Sequence, residues 1–193
     1  MTCQNLQSLY NLENTLRLVL QINMEQRLLI DAAKDQLNRT LGFFPRVDAK
    51  ASVLLAVNTG MLAVLIANSP PVRTFDWSML IVLLPIVLLM VSYWFLYKEA
   101  FPNLDGGHDS LIYFREIAKR TESKFIDQFK SQPEDSYLAD LLSQIWRNSE
   151  ILKTKFDDVR CAFNCTALAV LPWVVALAML VSKNTALKSL MSK

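Results

Sequence analysis

Three apolar segments, each about 20 residues long, constrain the fold of this chain most strongly. They cover residues 49–67, 79–97 and 162–182, and charged sequence separates them. A helix needs about 20 mainly apolar residues to cross a bilayer core of about 30 Å. The mean hydropathy of +0.24 is also higher than soluble domains usually show. We therefore expect an all-α membrane protein with three transmembrane helices.

The first segment is the least regular of the three. Charged residues, including Asp48 and Lys50, lie at its entrance, and Asn58, Thr59 and Gly60 interrupt its apolar run. An amide that faces lipid is costly, whereas one that faces a neighbouring helix can form a hydrogen bond. We therefore expect this span to face protein. The polar residues that we predict to pack the spans or to line a pore are Asp48, Lys50, Asn58, Thr59 and Asn164.

Basic residues are distributed unevenly around the spans. Five Lys and Arg residues precede residue 49, ten lie in residues 98–161, and one lies in the loop of residues 68–78. Because basic residues accumulate on the cytoplasmic side of a membrane, we expect the N-terminus and residues 98–161 to be cytoplasmic. Three spans then place the C-terminus in the periplasm, against the mild pull of the lysines at positions 183, 188 and 193.

These assignments divide the chain into five parts. We predict an N-terminal cytoplasmic helix in residues 1–48, a transmembrane hairpin in 49–97, a cytoplasmic helical hairpin in 98–161, a third transmembrane helix in 162–182 and a tail in 183–193. The GFFP stretch at residues 42–45 should end the first helix. Asp109 or Ser110 should cap a helix that extends to residue 131. A last helix should begin near Glu134 and continue into the third span.

That last helix carries the most regular pattern in the sequence. Its apolar residues alternate at spacings of four and three, which is a heptad seam and predicts coiled-coil-like packing within the chain or between subunits. We therefore expect a homo-oligomer, and a helix that couples a cytoplasmic event to the membrane. The seam consists of Leu138, Leu142, Ile145, Ser149, Leu152, Phe156, Val159 and Phe163.

No catalytic motif is present in the sequence. The chain lacks GxSxG, Walker A, HExxH and Rossmann patterns, and its four glycines argue against a phosphate-binding loop. The single His108 beside Asp105 and Asp109 is more typical of a solvated loop than of a metal site, and Cys161 and Cys165 are more typical of buried apolar residues. We expect no enzyme activity, no metal and no cofactor. The net charge of +2 is also too small to predict binding of a nucleic-acid polymer.

Small-ligand binding stays open. The region between the second and third spans interleaves basic and polar residues with aromatic ones, and such groups can neutralise a phosphate and stack on a base. The same interleaving is also what any solvated amphipathic helix shows. The residues that we predict to bind a nucleotide are Arg115, Lys119, Arg147, Asn148, Ser149 and Lys153.

Four short motifs, in their order and spacing relative to the spans, resemble a known family. They are DAKAS at residues 48–52, DSLIYFREIAK at 109–119, QIWRNSEILKTKFDDVRCAF at 144–163 and LPW at 171–173. Together they are similar to the transmembrane effectors of Pycsar, the bacterial pyrimidine-cyclase system of antiphage defence. The resemblance covers roughly residues 35–181.

The resemblance implies a protein of the bacterial inner membrane that is not an enzyme. Cyclic CMP or cyclic UMP from a partner cyclase would activate it, the membrane would lose integrity, and the infected cell would die before phage are released. It implies no residue-level binding motif. A membrane-anchored helical scaffold that recruits a protein partner is the main alternative. A small channel or transporter subunit is less favoured, because transporters usually have more spans and charged midplane residues.

Overall fold

The computed structural model describes residues 3–69, 79–101 and 107–191, and the regular elements in these ranges are helices. Most of the predicted loop between the first two spans, part of the loop before Gly107 and the last two residues lie outside the described ranges. The helices, in chain order, are α1 (Cys3–Leu41), α2 (Phe44–Asn68), α3 (Met79–Ala100), α4 (Phe114–Ile117), α5 (Glu122–Ser131) and α6 (Glu134–Met191).

Three helical stretches are long and apolar enough to cross a membrane. They are Glu13–Asn68, Leu80–Ala100 and Glu134–Thr185. They contain the first and third predicted spans and all of the second except residue 79. The expectation of an all-helical chain with three candidate membrane spans is therefore confirmed, and the orientation of the spans stays a prediction. The predicted breaker is also confirmed, because α1 ends at Leu41, and Pro45 lies in the first turn of α2, where its missing N–H leaves no bond unmade.

The chain divides into two compact units. Unit 1 comprises residues 1–42 and 105–150, and unit 2 comprises residues 43–104 and 151–193. The core of unit 1 forms where the second half of α1 packs on the start of α6 and on the segment before α4. Three residues of α1 at helical spacing, Ile30, Ala33 and Leu37, bury their side chains there with Leu141. Between Tyr10 and Leu29, α1 exposes most of its large apolar side chains.

Unit 2 consists of α2, α3 and the remainder of α6, and its buried apolar residues form two clusters. One cluster contains Val47, Ala51, Leu96, Val159 and Ala162, and the other contains Leu65, Val82, Ala176 and Leu180. Alanine recurs on the buried face of α6. Small residues let helix backbones approach closely, which favours helix association in lipid.

The predicted helix over residues 110–131 is wrong as a single element. The structure breaks it into α4 and α5, and Thr121 between them adopts an extended backbone with ψ 153°. The side chain of Arg120 supplies the reason, because its guanidinium donates to the carbonyl oxygens of Asp109, Ser110 and Glu116. These bonds fold the segment back on itself and take a carbonyl that a continuing helix would have used.

The predicted heptad seam coincides only in part with the face that α6 buries within the chain: Val159 is buried, and Leu152 and Phe156 pack against the same core. Seam residues Leu142 and Phe163 are 53% and 59% exposed, and Ser149 is exposed as well. The positions immediately before seam residues are buried instead, namely Leu141, Gln144, Lys155, Asp158 and Ala162. Hydrophobicity alone did not indicate these positions because all of them except Leu141 are polar or small. Packing between subunits through the apolar seam stays a prediction.

Candidate functional site

A line of buried polar side chains, which we call the polar seam, joins the three helices of unit 2. Its members are Asn58 of α2, Ser92 and Glu99 of α3, and Lys155, Asp158 and Thr166 of α6, and each is at least nine-tenths buried. Buried polar groups are expensive in a protein core and more so in lipid, unless each finds a partner. Their partners therefore determine how the three helices are held.

Asn58, Ser92 and Thr166 form a closed ring of hydrogen bonds. The Asn58 amide donates through Nδ2 to Ser92 Oγ at 2.8 Å, and Thr166 Oγ1 donates to Asn58 Oδ1 at 2.9 Å. Ser92 Oγ and Thr166 Oγ1 lie 3.0 Å apart. Both hydroxyl oxygens also lie 3.0 Å from the carbonyl oxygen of Ala162, so they share their protons between this carbonyl and the ring, which joins three helices. Asn58 is fully buried, so the ring satisfies an amide that lipid could not.

Lys155 of α6 makes an ion network with two carboxylates, one of which, Glu99 of α3, lies seven residues after Ser92. Its Nζ donates to Glu99 Oε1 and to Asp48 Oδ1, both at 2.7 Å. The side chains of Lys155 and Glu99 are 8% and 4% exposed, whereas that of Asp48 is 54% exposed. The Lys155–Glu99 pair is therefore a desolvated contact, and Asp48 closes it on the side that faces solvent.

A second ion pair links the same two helices beside this network. Lys98 Nζ donates to Asp158 Oδ1 at 3.2 Å, with the lysine half exposed and the aspartate buried. The two ion pairs have opposite polarity, because α3 provides the cation of one pair at position 98 and the anion of the other at position 99. This pattern fixes the rotation of α3 against α6, since a turn of either helix would bring like charges together.

Two further contacts tie α2 to α6 towards their C-terminal ends. Trp173 Nε1 donates to the carbonyl oxygen of Met61 at 2.9 Å, and Asn184 Nδ2 donates to that of Asn68 at 2.8 Å. The contact residues of α2 are, in chain order, Asp48, Asn58, Met61 and Asn68, and their partners on α6 follow one another in the same order. The two helices therefore run parallel and are joined at four levels.

Unit 1 has its own polar cluster around Ser110. Ser110 Oγ accepts from the backbone N–H groups of Ile112 and Tyr113 at 3.0 and 2.9 Å, and Gln144 Nε2 donates to it at 3.2 Å. Asp140 Oδ2 accepts from the N–H of Leu111 at 2.9 Å. The prediction that Asp109 or Ser110 caps the helix is wrong, because α4 begins at Phe114 and its N-cap residue is Tyr113; Ser110 instead bonds to the turn that precedes α4.

Two charged groups close the same cluster. Arg120 is 9% exposed and spends its donors on backbone carbonyls and on Gln128 Oε1 at 3.0 Å. Lys119 donates to Glu116 Oε1, which lowers the pKa of that carboxyl below its ordinary value, although partial burial acts in the opposite direction. These contacts therefore hold the segment before α5 in one defined conformation.

The six residues predicted to bind a nucleotide are surface or half-buried residues in the structure. Arg115, Lys119, Ser149 and Lys153 are exposed, and Arg147 and Asn148 are partly buried. Arg147 lies 3.8 Å from Glu150, and a phosphate could replace this carboxylate as the partner of the guanidinium. The polar groups of Asn148 and Ser149 bond to carbonyls of their own helix, those of Gln144 and Ile145. Their role in binding stays a prediction.

The five residues predicted to pack the spans or line a pore have different surroundings. Asp48 and Asn58 belong to the networks above. Thr59 Oγ1 bonds to the carbonyl of Leu55 and lies 2.8 Å from the Tyr93 hydroxyl. The Lys50 ammonium lies 5.4 Å from the centre of the Phe156 ring, and Asn164 is exposed on α6. Thr166, two residues further along, makes the contacts that Asn164 does not.

Sequence reasoning missed five members of the polar seam, namely Ser92, Glu99, Lys155, Asp158 and Thr166. Two of them could have been found from the sequence, because Ser92 and Thr166 are hydroxyl residues inside apolar spans. Asn58 was found on the same ground, as the amide within the first span. Lys155 could not be found in this way, since lysine on a charged helix is usually solvated. Within the described residues no group of three or more His, Cys, Asp or Glu side chains could hold a metal ion.

Comparison with known proteins identifies the family. The model of the Pycsar effector protein domain (PycTM) matches residues 32–182, which covers the second part of α1, all of α2 and α3, and α6 through the third span. No curated protein and no solved structure matches the chain. The match includes both units and every member of the polar seam, and the chain therefore belongs to the family of Pycsar effectors.

Proposed function

We propose that this chain is an antiphage effector of the bacterial inner membrane that a cyclic pyrimidine mononucleotide, cCMP or cUMP, activates. The observation that carries the proposal is the family match over residues 32–182 together with three candidate membrane spans. In this proposal, activation impairs membrane integrity and causes abortive infection. The N-terminus and residues 98–161 are cytoplasmic, the C-terminus is periplasmic, and the protein acts as a homo-oligomer.

The nucleotide binds the cytoplasmic face of this effector through Arg115, Lys119, Arg147, Asn148, Ser149 and Lys153. Arginine and lysine neutralise the cyclic phosphate, while Asn148 and Ser149 read the base edge. Half-burial of Arg147 favours it as the principal anchor, because a guanidinium that is partly desolvated binds phosphate more strongly than an exposed one. The ion pair of Arg147 with Glu150 is long, at 3.8 Å, so a phosphate can readily replace Glu150 as the partner of Arg147.

The helix α6 transmits the binding event. It is one continuous helix from Glu134 to Met191, so Arg147, Lys155 and Thr166 lie on the same element. A ligand shifts an equilibrium only if it binds one arrangement better than the other. A rotation or shift of α6 that breaks the Lys155 network and opens the Asn58 ring would expose polar groups between the spans, which is a path for ions.

Titration of the purified protein in detergent with a panel of cyclic mononucleotides tests the ligand. We expect cCMP or cUMP to bind and cAMP and cGMP to bind at least tenfold more weakly. Arg147→Ala and Lys153→Ala should each raise the Kd about tenfold or more, because a hydrogen bond to a charged group is worth about 1.5–3 kcal/mol. Lys130→Ala, which removes an exposed cation of α5, is the matched control and should leave the Kd unchanged.

Two outcomes would count against the proposal. Unchanged affinity in Arg147→Ala and Lys153→Ala removes those residues from the site. Absence of binding by either cyclic pyrimidine, together with survival of infected cells that express the wild-type chain, favours the scaffold alternative, in which the protein recruits a partner and leaves the membrane intact.

A further inference from the structure

The outer surface of unit 2 bears a groove between α2 and α6 that neither the polar seam nor the nucleotide residues use. Its volume is about 610 Å³, and its lining residues are Ala49, Lys50, Val53, Leu54, Phe156, Val159, Arg160 and Phe163. Six of these eight are apolar, and the other two are cations. The groove therefore combines a hydrophobic trough with positive charge and, among the described residues that line it, contains no carboxylate.

The position of the groove along the spans indicates what fills it. Its α2 residues are the first of the predicted span, and its α6 residues lie just before and at the start of the third span. Because α2 and α6 run parallel and helical side chains lean towards the helix N-terminus, Lys50 and Arg160 both reach towards the same membrane surface. The apolar residues Val53, Leu54 and Phe163 lie deeper. This is the arrangement of a phospholipid, with the phosphate at the surface and the acyl chain below it.

Two other grooves of unit 2 show what distinguishes this one. A groove of about 600 Å³ on the other side of α2 contains Lys155, but Asp48 and Glu99 line it as well and neutralise that lysine. A groove of about 520 Å³ between α3 and α6 is lined by apolar residues and proline without a charge. The Lys50–Arg160 groove is the one of these three that joins an apolar trough to cations with no carboxylate among its lining residues.

Local contacts keep the two cations available to a ligand. Asp48, two residues before Lys50, accepts a hydrogen bond from Lys155 instead. Lys50 lies over the ring of Phe156, which positions its ammonium at the mouth of the groove and still leaves its hydrogen-bond donors to other acceptors. Arg160 is exposed, and its planar fork suits the oxygens of a phosphate.

We propose that this groove is a binding site for one anionic phospholipid, whose headgroup phosphate contacts Lys50 and Arg160 and whose acyl chain lies along Val53, Leu54 and Phe163. The proposal rests on the spans and not on the nucleotide. Basic residues near a membrane surface each contribute about fivefold to the affinity for anionic lipid. We therefore expect the protein to prefer phosphatidylglycerol to phosphatidylcholine of the same acyl composition.

Native mass spectrometry of the protein with the two lipids in equal amounts tests the site. Wild type should retain phosphatidylglycerol over phosphatidylcholine by tenfold or more. Lys50→Gln/Arg160→Gln should lose that preference, and Val53→Trp, which fills the trough at an exposed position, should lower the amount of phosphatidylglycerol retained. Arg46→Gln is the matched control, because Arg46 lies one turn before Lys50 outside the groove and stacks on Phe43. It should bind as wild type does.

Four results would overturn the proposal. These are equal retention of both lipids by wild type, undiminished preference in the double variant, an equal loss in Arg46→Gln, and unchanged retention in Val53→Trp. Glycerol phosphate at the same concentration serves as the headgroup-only arm, and its failure to compete is expected. Competition by it would assign the cations to a free phosphate instead. All the substituted side chains are exposed, and unchanged thermal unfolding shows that each variant is folded.

Discussion

Lys155 of α6 donates a hydrogen bond to Glu99 of α3 at 2.7 Å, and both side chains are more than nine-tenths buried. Buried ion pairs are not strong sources of stability, because desolvation offsets most of the attraction. The cost of breaking such a pair is larger than the gain from forming it, because the loss of one partner leaves the other as an uncompensated buried charge. The pair therefore acts as a latch, which holds α3 and α6 in one register and penalises arrangements that separate them.

The first prediction concerns this latch. Lys155→Met should lower the free energy of unfolding by about 3–5 kcal/mol, because Glu99 stays buried without its cation. Arg17→Met, which breaks the exposed pair with Glu13 in α1, should cost about 1 kcal/mol or less, since both side chains are exposed. Chemical unfolding in detergent, followed by circular dichroism, measures both.

The double variant Lys155→Met/Glu99→Met separates charge from packing. Removing both charges should restore most of the lost stability, because an apolar pair of similar volume is often neutral or better. If the double variant is as unstable as the single one, the network does not act as a latch and the effect is one of side-chain volume.

The second prediction concerns the ring. Asn58→Leu should cost about 1–2 kcal/mol, because Ser92 and Thr166 lose their common partner between the spans. Ser52→Ala, on the same helix, should cost much less, since the exposed Ser52 hydroxyl bonds to its own helix at the carbonyl of Asp48. Equal losses in the two variants, by the same unfolding measurement, would contradict the ring as a specific contact.

Much of the fold was predictable from local sequence. The apolar lengths located the spans, the GFFP stretch located the end of α1, and Pro133 with Glu134 located the start of α6. The break between α4 and α5 was not predictable. It depends on the Arg120 side chain, which reaches carbonyls ten and eleven residues earlier in the chain, and no propensity of residues 118–121 carries that information.

The buried face of α6 was predictable only in part, for a related physical reason. A heptad of apolar residues indicates an interface in water, but in lipid the apolar side can face outwards and polar or small residues can face protein. Thr166 shows this, because it lies inside the third span and is buried three positions after the seam residue Phe163. The motifs that resemble the family fall on such contacts, as Asp48, Gln144 and Trp173 do.

The third prediction concerns the hydrogen bonds by which Arg120 holds the segment before α5. Arg120→Lys should lower the stability of unit 1 by about 2–3 kcal/mol, because an ammonium cannot reach three carbonyls at the geometry of a guanidinium. Hydrogen exchange at the amides of Ile112 and Tyr113 should accelerate accordingly. Arg39→Lys, at an exposed position of α1, is the control and should be neutral. Unchanged exchange in Arg120→Lys would contradict the role of the guanidinium.

The fourth prediction is a pH dependence. Lys119 lowers the pKa of Glu116 in the folded state, so the unfolded state binds the proton more tightly than the folded state. The stabilisation is fully present above about pH 4.3, the usual carboxyl value, and is lost as the pH falls through the lower folded pKa. Glu116→Gln should lower the melting temperature at pH 6 and narrow its difference from wild type near pH 3. A constant difference across this range would contradict the assignment.

The central claim is that a cyclic pyrimidine nucleotide opens the membrane through this protein alone. Release of a trapped fluorescent dye from liposomes that contain only the purified chain tests it most directly. The account predicts rapid release on addition of cCMP or cUMP and slow release with cAMP. It also predicts release without nucleotide from Lys155→Met, because the latch is broken. Retention of the dye by wild-type liposomes in the presence of either cyclic pyrimidine nucleotide would contradict the account.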